Sequence, residues 1–137
     1  MQCWSRRGST GAYNDDSVHI SGYSAFRKDK ADGRSGGGIL VYVREGVPCH
    51  AQPQLYISDI EVVWLLYRRP LMPRELSHIL IGAVYHPPKA DNRLMLDHLI
   101  SSMDTISRQH PQTGIILLGD FNQLPEGQLL TYAHSNS

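Results

Sequence analysis

Hydrophobic residues recur along the chain in two patterns, one typical of strands and one typical of a helix. Strands are predicted by five runs rich in β-branched, aromatic and other apolar residues, YSAFR, GILVYV, DIEVVWLLYR, HILIGAVY and GIILLGD. Residues 91–109 instead repeat apolar side chains every three or four positions, which predicts an amphipathic helix. Asp91 is a natural N-cap for this helix, and His110 ends it because the residue before a proline avoids helical geometry.

The polar stretches between these runs predict connections. About the first twenty residues are rich in turn formers and show no periodicity, apart from a short strand expected at Val18–Ile20. YSAFR and GILVYV are expected to pair across a charged loop that contains glycine, and Trp64 and Tyr67 are expected in the core or on a sheet face. His98 is expected to be a partly exposed helical residue rather than a metal ligand.

The second half of the chain places a strand, a helix and a strand in succession. Such a unit almost always forms a right-handed crossover that leaves its two strands parallel. The carboxyl ends of the strands then meet at one edge of the sheet, where open α/β sheets bind their ligands. Tyr85 ends the first strand, and Asp120 and Asn122 follow the second. These three side chains are therefore expected to lie near one another.

The residue types at this edge suit the hydrolysis of a phosphodiester. Strand alternation turns Phe121 into the core and leaves Asp120 and Asn122 on the other side. A carboxylate can deprotonate a water or hold Mg²⁺, an amide can donate to a phosphate oxygen, and the phenol of Tyr85 can donate to developing charge. An Asp-x-Asn sequence before a proline is also typical of a turn that merely ends a strand, and the pattern leaves both interpretations open.

Composition bounds the class of protein. The 137 residues fit one domain, and 13 basic residues balance 13 acidic ones, although residues 1–74 carry a net charge of +3 and residues 75–137 a net charge of −3. Cys3 and Cys49 are too far apart in sequence to suggest a zinc site or a disulfide framework. No run is long and apolar enough for a membrane span or a secretory signal, so an intracellular protein is expected.

Four motifs, RSGGGILVYV, EVVWLLY, ILIGAVYHPP and GIILLGDFNQLP, occur in this order along the chain. Together they resemble the endonuclease/exonuclease/phosphatase family, most closely the apurinic-type endonuclease domain of non-LTR retrotransposons, over residues 17–132. Residues 1–16 are then an irregular N-terminal segment and residues 133–137 a tail. The resemblance implies a DNase I-like fold, in which a two-sheet β-sandwich is flanked by helices in four α/β/β/α layers.

The resemblance also assigns roles. It implies a Mg²⁺- or Mn²⁺-dependent enzyme that nicks nuclear DNA. In this role Asp120 would orient or activate the attacking water, or bind the metal directly or through a water. Asn122 and Tyr85 would lie at the scissile phosphate. His86 is a candidate phosphate contact, although a loop histidine is more often simply solvated. Arg34, at the end of the charged loop from Arg27, is a candidate contact to the DNA backbone, and a solvated loop explains that segment equally well.

The chain departs from the family at both ends. If Trp4 belongs to the family's Glu-x-Trp motif, Gln2 occupies the position of the metal-binding glutamate. The family's terminal Ser-Asp-His motif has no counterpart, so a partial domain with little or no nuclease activity is expected, with a reverse transcriptase encoded downstream. Two alternatives are a non-catalytic remnant that serves as a binding module, and a phosphatase that acts on small phosphate esters.

Overall fold

A computed structural model describes residues 2–5, 18–29, 38–68 and 70–135, with side chains described over 18–28, 38–68 and 70–132. The main regular elements of these residues are seven strands, two α-helices and a short 3₁₀ helix, Pro53–Leu55. The strands are β1 Gln2–Ser5, β2 Tyr23–Asp29, β3 Gly38–Arg44, β4 Cys49–Ala51, β5 Val62–Tyr67, β6 His78–Tyr85 and β7 Thr113–Asp120, and the helices are α1 Asn92–Gln109 and α2 Glu126–Ser135.

The strands form two sheets. In the first, β3 lies between β1 and β2 and is antiparallel to both, which confirms the predicted pairing of YSAFR with GILVYV. In the second, the order is β4-β5-β6-β7, with antiparallel neighbours except for β6 and β7. These two strands flank α1 in sequence and are parallel, as the crossover argument predicts.

Two hydrophobic cores hold the layers together. One lies between the two sheets and includes Val41 of β3 with Val63 and Ile81 of the second sheet. The other lies between the second sheet and the helices, where Trp64 and Leu99 are fully buried. The second sheet therefore has apolar side chains on both faces, and its strands are continuous hydrophobic runs, as expected for a sheet covered on both sides.

The helix α1 begins and ends where the sequence predicts. The Asp91 carboxylate accepts hydrogen bonds from the backbone N–H groups of Arg93 at 2.8 Å and Leu94 at 3.1 Å, which satisfies two donors of the first turn. His110 caps the other end just before Pro111, with its N–H donating to the Ile106 carbonyl. Neither helix in the described ranges is long and apolar enough to cross a membrane.

Four local predictions need correction or addition. Gln2–Ser5 forms a strand against β3, although the sequence predicts irregular structure there. Val18–Ile20, in contrast, forms no strand. The sequence shows no signal for the three-residue strand β4, which gains its order from pairing with β5. The terminal helix α2 is an addition to the predicted elements, and its Leu129 packs into the helix-side core together with Leu124, which precedes the helix.

Candidate functional site at the carboxyl edge of two parallel strands

Tyr85 and Asp120 end neighbouring strands and are register partners in the parallel pair. The backbone N–H of His86 donates to the Asp120 carbonyl at 2.9 Å, so pairing extends to the last residue of each strand. Register partners share a face of a sheet, and Tyr85 packs into the core between the sheets. The side chain of Asp120 is half-buried beside it. The predicted convergence of these two residues is confirmed.

Asn122 lies in the turn that follows β7. Its backbone φ of +44° lies in the left-handed region, which asparagine tolerates better than most residues do. Its N–H donates to Oδ1 of Asp120 at 3.2 Å, and its side-chain amide donates to the carbonyl of His86. Phe121 turns into the helix-side core, as alternation predicts. The turn therefore ties Asp120 and Asn122 to the residue after Tyr85.

The side chain of His86 is fully buried, unlike the solvated loop residue expected from the sequence. Its Nε2 lies 2.7 Å from the amide oxygen of Asn92 and 3.3 Å from the side-chain nitrogen of Gln123. The side chain of Gln123 donates to the carbonyl of Pro87, the residue after His86, at 3.3 Å. No surface of His86 is open to a phosphate, so its role here is to fasten β6 to the start of α1.

Glu61 also lies at this edge, which the sequence pattern does not predict. The N–H of Tyr85 donates to the Glu61 carbonyl at 3.0 Å, immediately beyond the register pair of Val62 with Val84. Glu61, Tyr85 and Asp120 therefore form a row across three neighbouring strands. The sequence signal is an acidic residue that opens the apolar run EVVWLLY. Interpreting that signal requires the β5–β6 register, which the sequence does not give.

The Glu61 carboxylate is 5% exposed and lies near the ammonium of Lys28, which reaches over from β2. Burial lowers the pKa of Lys28, and the charges of Glu61 and Asp59 act against that shift. The ammonium also donates to the carbonyls of Ile57 and Ile60. Lys28 therefore joins the first sheet to the turn that precedes β5, and the charge of Glu61 has a cation nearby.

The donors for a divalent metal are few at this edge. Among the residues described above, no group of three His, Cys, Asp or Glu side chains could hold a metal ion. Asp120 supplies one carboxylate beside the Asn122 amide, and Mg²⁺ is commonly held by one or two carboxylates, with waters and substrate phosphates completing its octahedron. Binding of Mg²⁺ at this edge therefore stays a prediction, with Asp120 as its expected ligand.

Two predicted site residues, Gln2 and Arg34, lie partly or wholly outside the residues that the structure describes. The backbone of Gln2 belongs to β1, which approaches β7 across the sandwich, but its side chain lies outside the described residues. Arg34 lies wholly outside them, so its proposed contact with DNA stays a prediction.

Comparisons with protein-family models and with curated proteins give no match. Among solved structures, the chain is similar to the "Endonuclease domain of TRAS1, a telomere-specific non-LTR retrotransposon", with a TM-score of 0.55 and 16% sequence identity. The similarity covers 85% of this chain and 54% of that one. At this identity the likeness concerns the fold. The chain therefore shares the fold of a retrotransposon endonuclease domain and spans about half the length of that neighbour.

Proposed function

We propose that the chain contributes the phosphodiester-binding edge of a DNA endonuclease domain of the non-LTR retrotransposon type. The observation that carries the proposal is the meeting of Tyr85, Asp120 and Asn122 at one edge of a sheet whose fold matches such a domain. The proposal includes the four-layer sandwich of the DNase I-like fold and nuclear DNA as the substrate. A reverse transcriptase encoded downstream would then use the nick.

The chemistry follows from the three side chains. Asp120 has one carboxylate oxygen engaged by the Asn122 N–H, and its other oxygen can accept the proton of an attacking water. The Asn122 amide lies on the exposed side and can contact a phosphate oxygen without adding negative charge. Tyr85 can donate its phenol hydrogen to the charge that develops on phosphorus as the water attacks in line.

A second candidate function is a DNA-binding module without catalysis. The backbone N–H of Asn122 donates to Asp120 and one N–H of its side-chain amide donates to His86, which is the arrangement of a structural Asx turn. Residues that act as a catalytic unit lose most of their effect when one member is missing.

A plasmid-nicking assay with Mg²⁺ or Mn²⁺ separates these functions. We expect slow nicking by the chain, faster nicking by Gln2→Glu, and a loss of at least about 100-fold on adding Asp120→Ala to Gln2→Glu, the lower end of the contribution of a positioned base. Asp97→Ala is the matched control, because it removes a carboxylate that is 72% exposed on the surface of α1.

Each outcome of this assay has a defined meaning. Nicking that persists unchanged in Asp120→Ala contradicts the endonuclease proposal. If no variant nicks DNA but Asn122→Gly weakens duplex binding, the binding module is correct. Release of phosphate from p-nitrophenyl phosphate, with DNA left intact, would support the phosphatase alternative.

A further inference from the structure

A cavity of about 270 Å³ lies at the end of the second sheet that is opposite to the candidate site. His78 begins β6 and lines the cavity, whereas Tyr85 ends the same strand at the candidate site. The seven residue steps between them span roughly 23 Å, so the two places are separate. The polar lining comes from the connection between β5 and β6 and from the turn before β7, and it consists of Arg68, Arg74, Ser77, His78 and Gln112.

Backbone hydrogen bonds and prolines fix the walls of this cavity. The N–H of Arg68 donates to the Pro48 carbonyl at 3.1 Å, and the N–H of Ser77 donates to the Gln112 carbonyl at 2.8 Å. Both ends of the connection between β5 and β6 are therefore anchored. Two prolines of the connection also line the cavity, and their rings fix the backbone φ angle. A site that is formed before its ligand arrives loses less free energy on ordering.

The charge that lines the cavity is positive and comes from two arginines. Arg68 and Arg74 both line it, and no acidic side chain does so among the residues that the structure describes. In the described ranges, neither guanidinium forms an ion pair. Glu75 follows Arg74 in sequence, but it is exposed outside the lining. Arginine stays protonated at any physiological pH, so this charge does not depend on the protonation of His78.

We infer that the cavity binds a phosphate group between Arg68 and Arg74, and we call it the arginine pocket. The planar guanidinium fork matches the oxygens of a phosphate and can donate two parallel hydrogen bonds to it. The Ser77 hydroxyl, a ring N–H of His78 and the Gln112 amide are neutral donors in the same lining. Donors from several segments suit a tetrahedral anion better than a planar carboxylate. The inference is independent of the proposed function.

His78 provides a second readout of the ligand's charge. Its ring lies 4.0 Å from the ring of His110, between their centroids. Burial, followed by the charges of His110 and Arg68, lowers the pKa of His78. A bound phosphate opposes these positive charges, so the pKa of His78 should rise when the arginine pocket is occupied. NMR titration of the ring signals with pH, with and without phosphate, measures this change.

Titration of the ¹⁵N-labelled chain with inorganic phosphate, at constant pH and ionic strength, tests the pocket. We expect saturable shifts of the backbone signals of Ser77 and His78, with a dissociation constant of about 1 mM for so small a ligand. Arg68→Ala and Arg74→Ala should each raise this constant at least about tenfold, because each removes a charge-assisted contact. Arg93→Ala is the matched control, because its side chain is 91% exposed in the first turn of α1.

Parallel titrations with a short DNA duplex in EDTA and with acetate identify the ligand. Phosphate binding without DNA binding supports a free phosphate group as the ligand. DNA-induced shifts at Ser77 and His78 that Arg74→Ala abolishes support a phosphate of the DNA backbone.

Three results would overturn the inference. They are the absence of saturable shifts with both phosphate and DNA, acetate binding as tight as phosphate binding, and an equal loss of affinity in Arg93→Ala. The signals of His86 and Asn122 report on the candidate site in the same spectra. Failure of the arginine pocket is therefore distinguished from failure of the proposed function.

Discussion

Replacing Gly119 with alanine is expected to lower the free energy of unfolding by about 3–5 kcal/mol, a large fraction of the stability of a small domain. Gly119 has a φ of +133°, a conformation that L residues rarely adopt. A Cβ there would overlap the carbonyl oxygen of Val84 and would lie 2.9 Å from its carbonyl carbon. The atoms in the way belong to the backbone of β6, so no side chain can move aside.

Gly127→Ala is the matched control for this substitution. Gly127 lies in α2, and a Cβ there would meet nothing within 4 Å. Alanine in a helix is favoured over glycine by up to about 1 kcal/mol, so we expect this variant to be unchanged or slightly more stable. Urea unfolding followed by circular dichroism gives both values. Equal stability of the two variants would show that β6 and β7 do not approach as closely as described.

The second large effect is a loss of stability in mild acid. His98 is 4% exposed, and its Nε2 accepts a hydrogen bond from the indole N–H of Trp64 at 3.1 Å. A ring nitrogen that accepts this bond must be unprotonated. Burial, followed by the charge of Lys28, lowers the pKa of His98 from 6.5 to about 4. The expectation of a partly exposed residue was wrong, because the apolar stripe of α1 brings His98 onto Trp64.

The direction of the pH dependence follows from this lowered pKa. Between pH 6.5 and about 4, the unfolded chain binds a proton at His98 that the folded chain does not bind. The contribution of neutral His98 to the free energy of unfolding is therefore complete above pH 6.5, and it is lost as the pH falls toward 4. Over the full window the loss is expected to be about 1–3 kcal/mol, since one pKa unit corresponds to about 1.4 kcal/mol.

His98→Gln is the variant that isolates this contribution. A glutamine oxygen can accept the hydrogen bond of Trp64 and does not titrate, so the stability of the variant should change less between pH 7 and pH 4.5 than that of the original chain. Urea titrations at the two pH values measure the difference. The same pH dependence in both proteins would assign the acid sensitivity to other groups.

The sequence predicts the parallel pair and its edge because the responsible signals are local. Each of three segments carries its own pattern, namely the run HILIGAVY, the periodic helix and the run GIILL. The rule that such a unit forms a right-handed crossover then makes the two strands parallel. Tyr85 and Asp120 could therefore be placed together without knowledge of the sheet order.

The environments of single polar residues could not be predicted in the same way. Glu61 lies beside Tyr85 because of the register of β5 with β6. The buried ring of His86 contacts Asn92, which lies six residues later in the chain. Both environments depend on contacts between elements, which the local propensity of a segment does not predict. The strand β1 was missed for a related reason, since its order comes from pairing with β3 and not from its own composition.

We propose that a DNA phosphodiester binds at the carboxyl edge of β6 and β7. NMR titration of the ¹⁵N-labelled chain with a short DNA duplex in EDTA tests it directly, because binding is then observed without cleavage. If DNA binds at this edge, we expect the backbone signals of His86 and Asn122 to shift as DNA is added. Shifts confined to the opposite end of these strands, around Arg68 and His78, would contradict it.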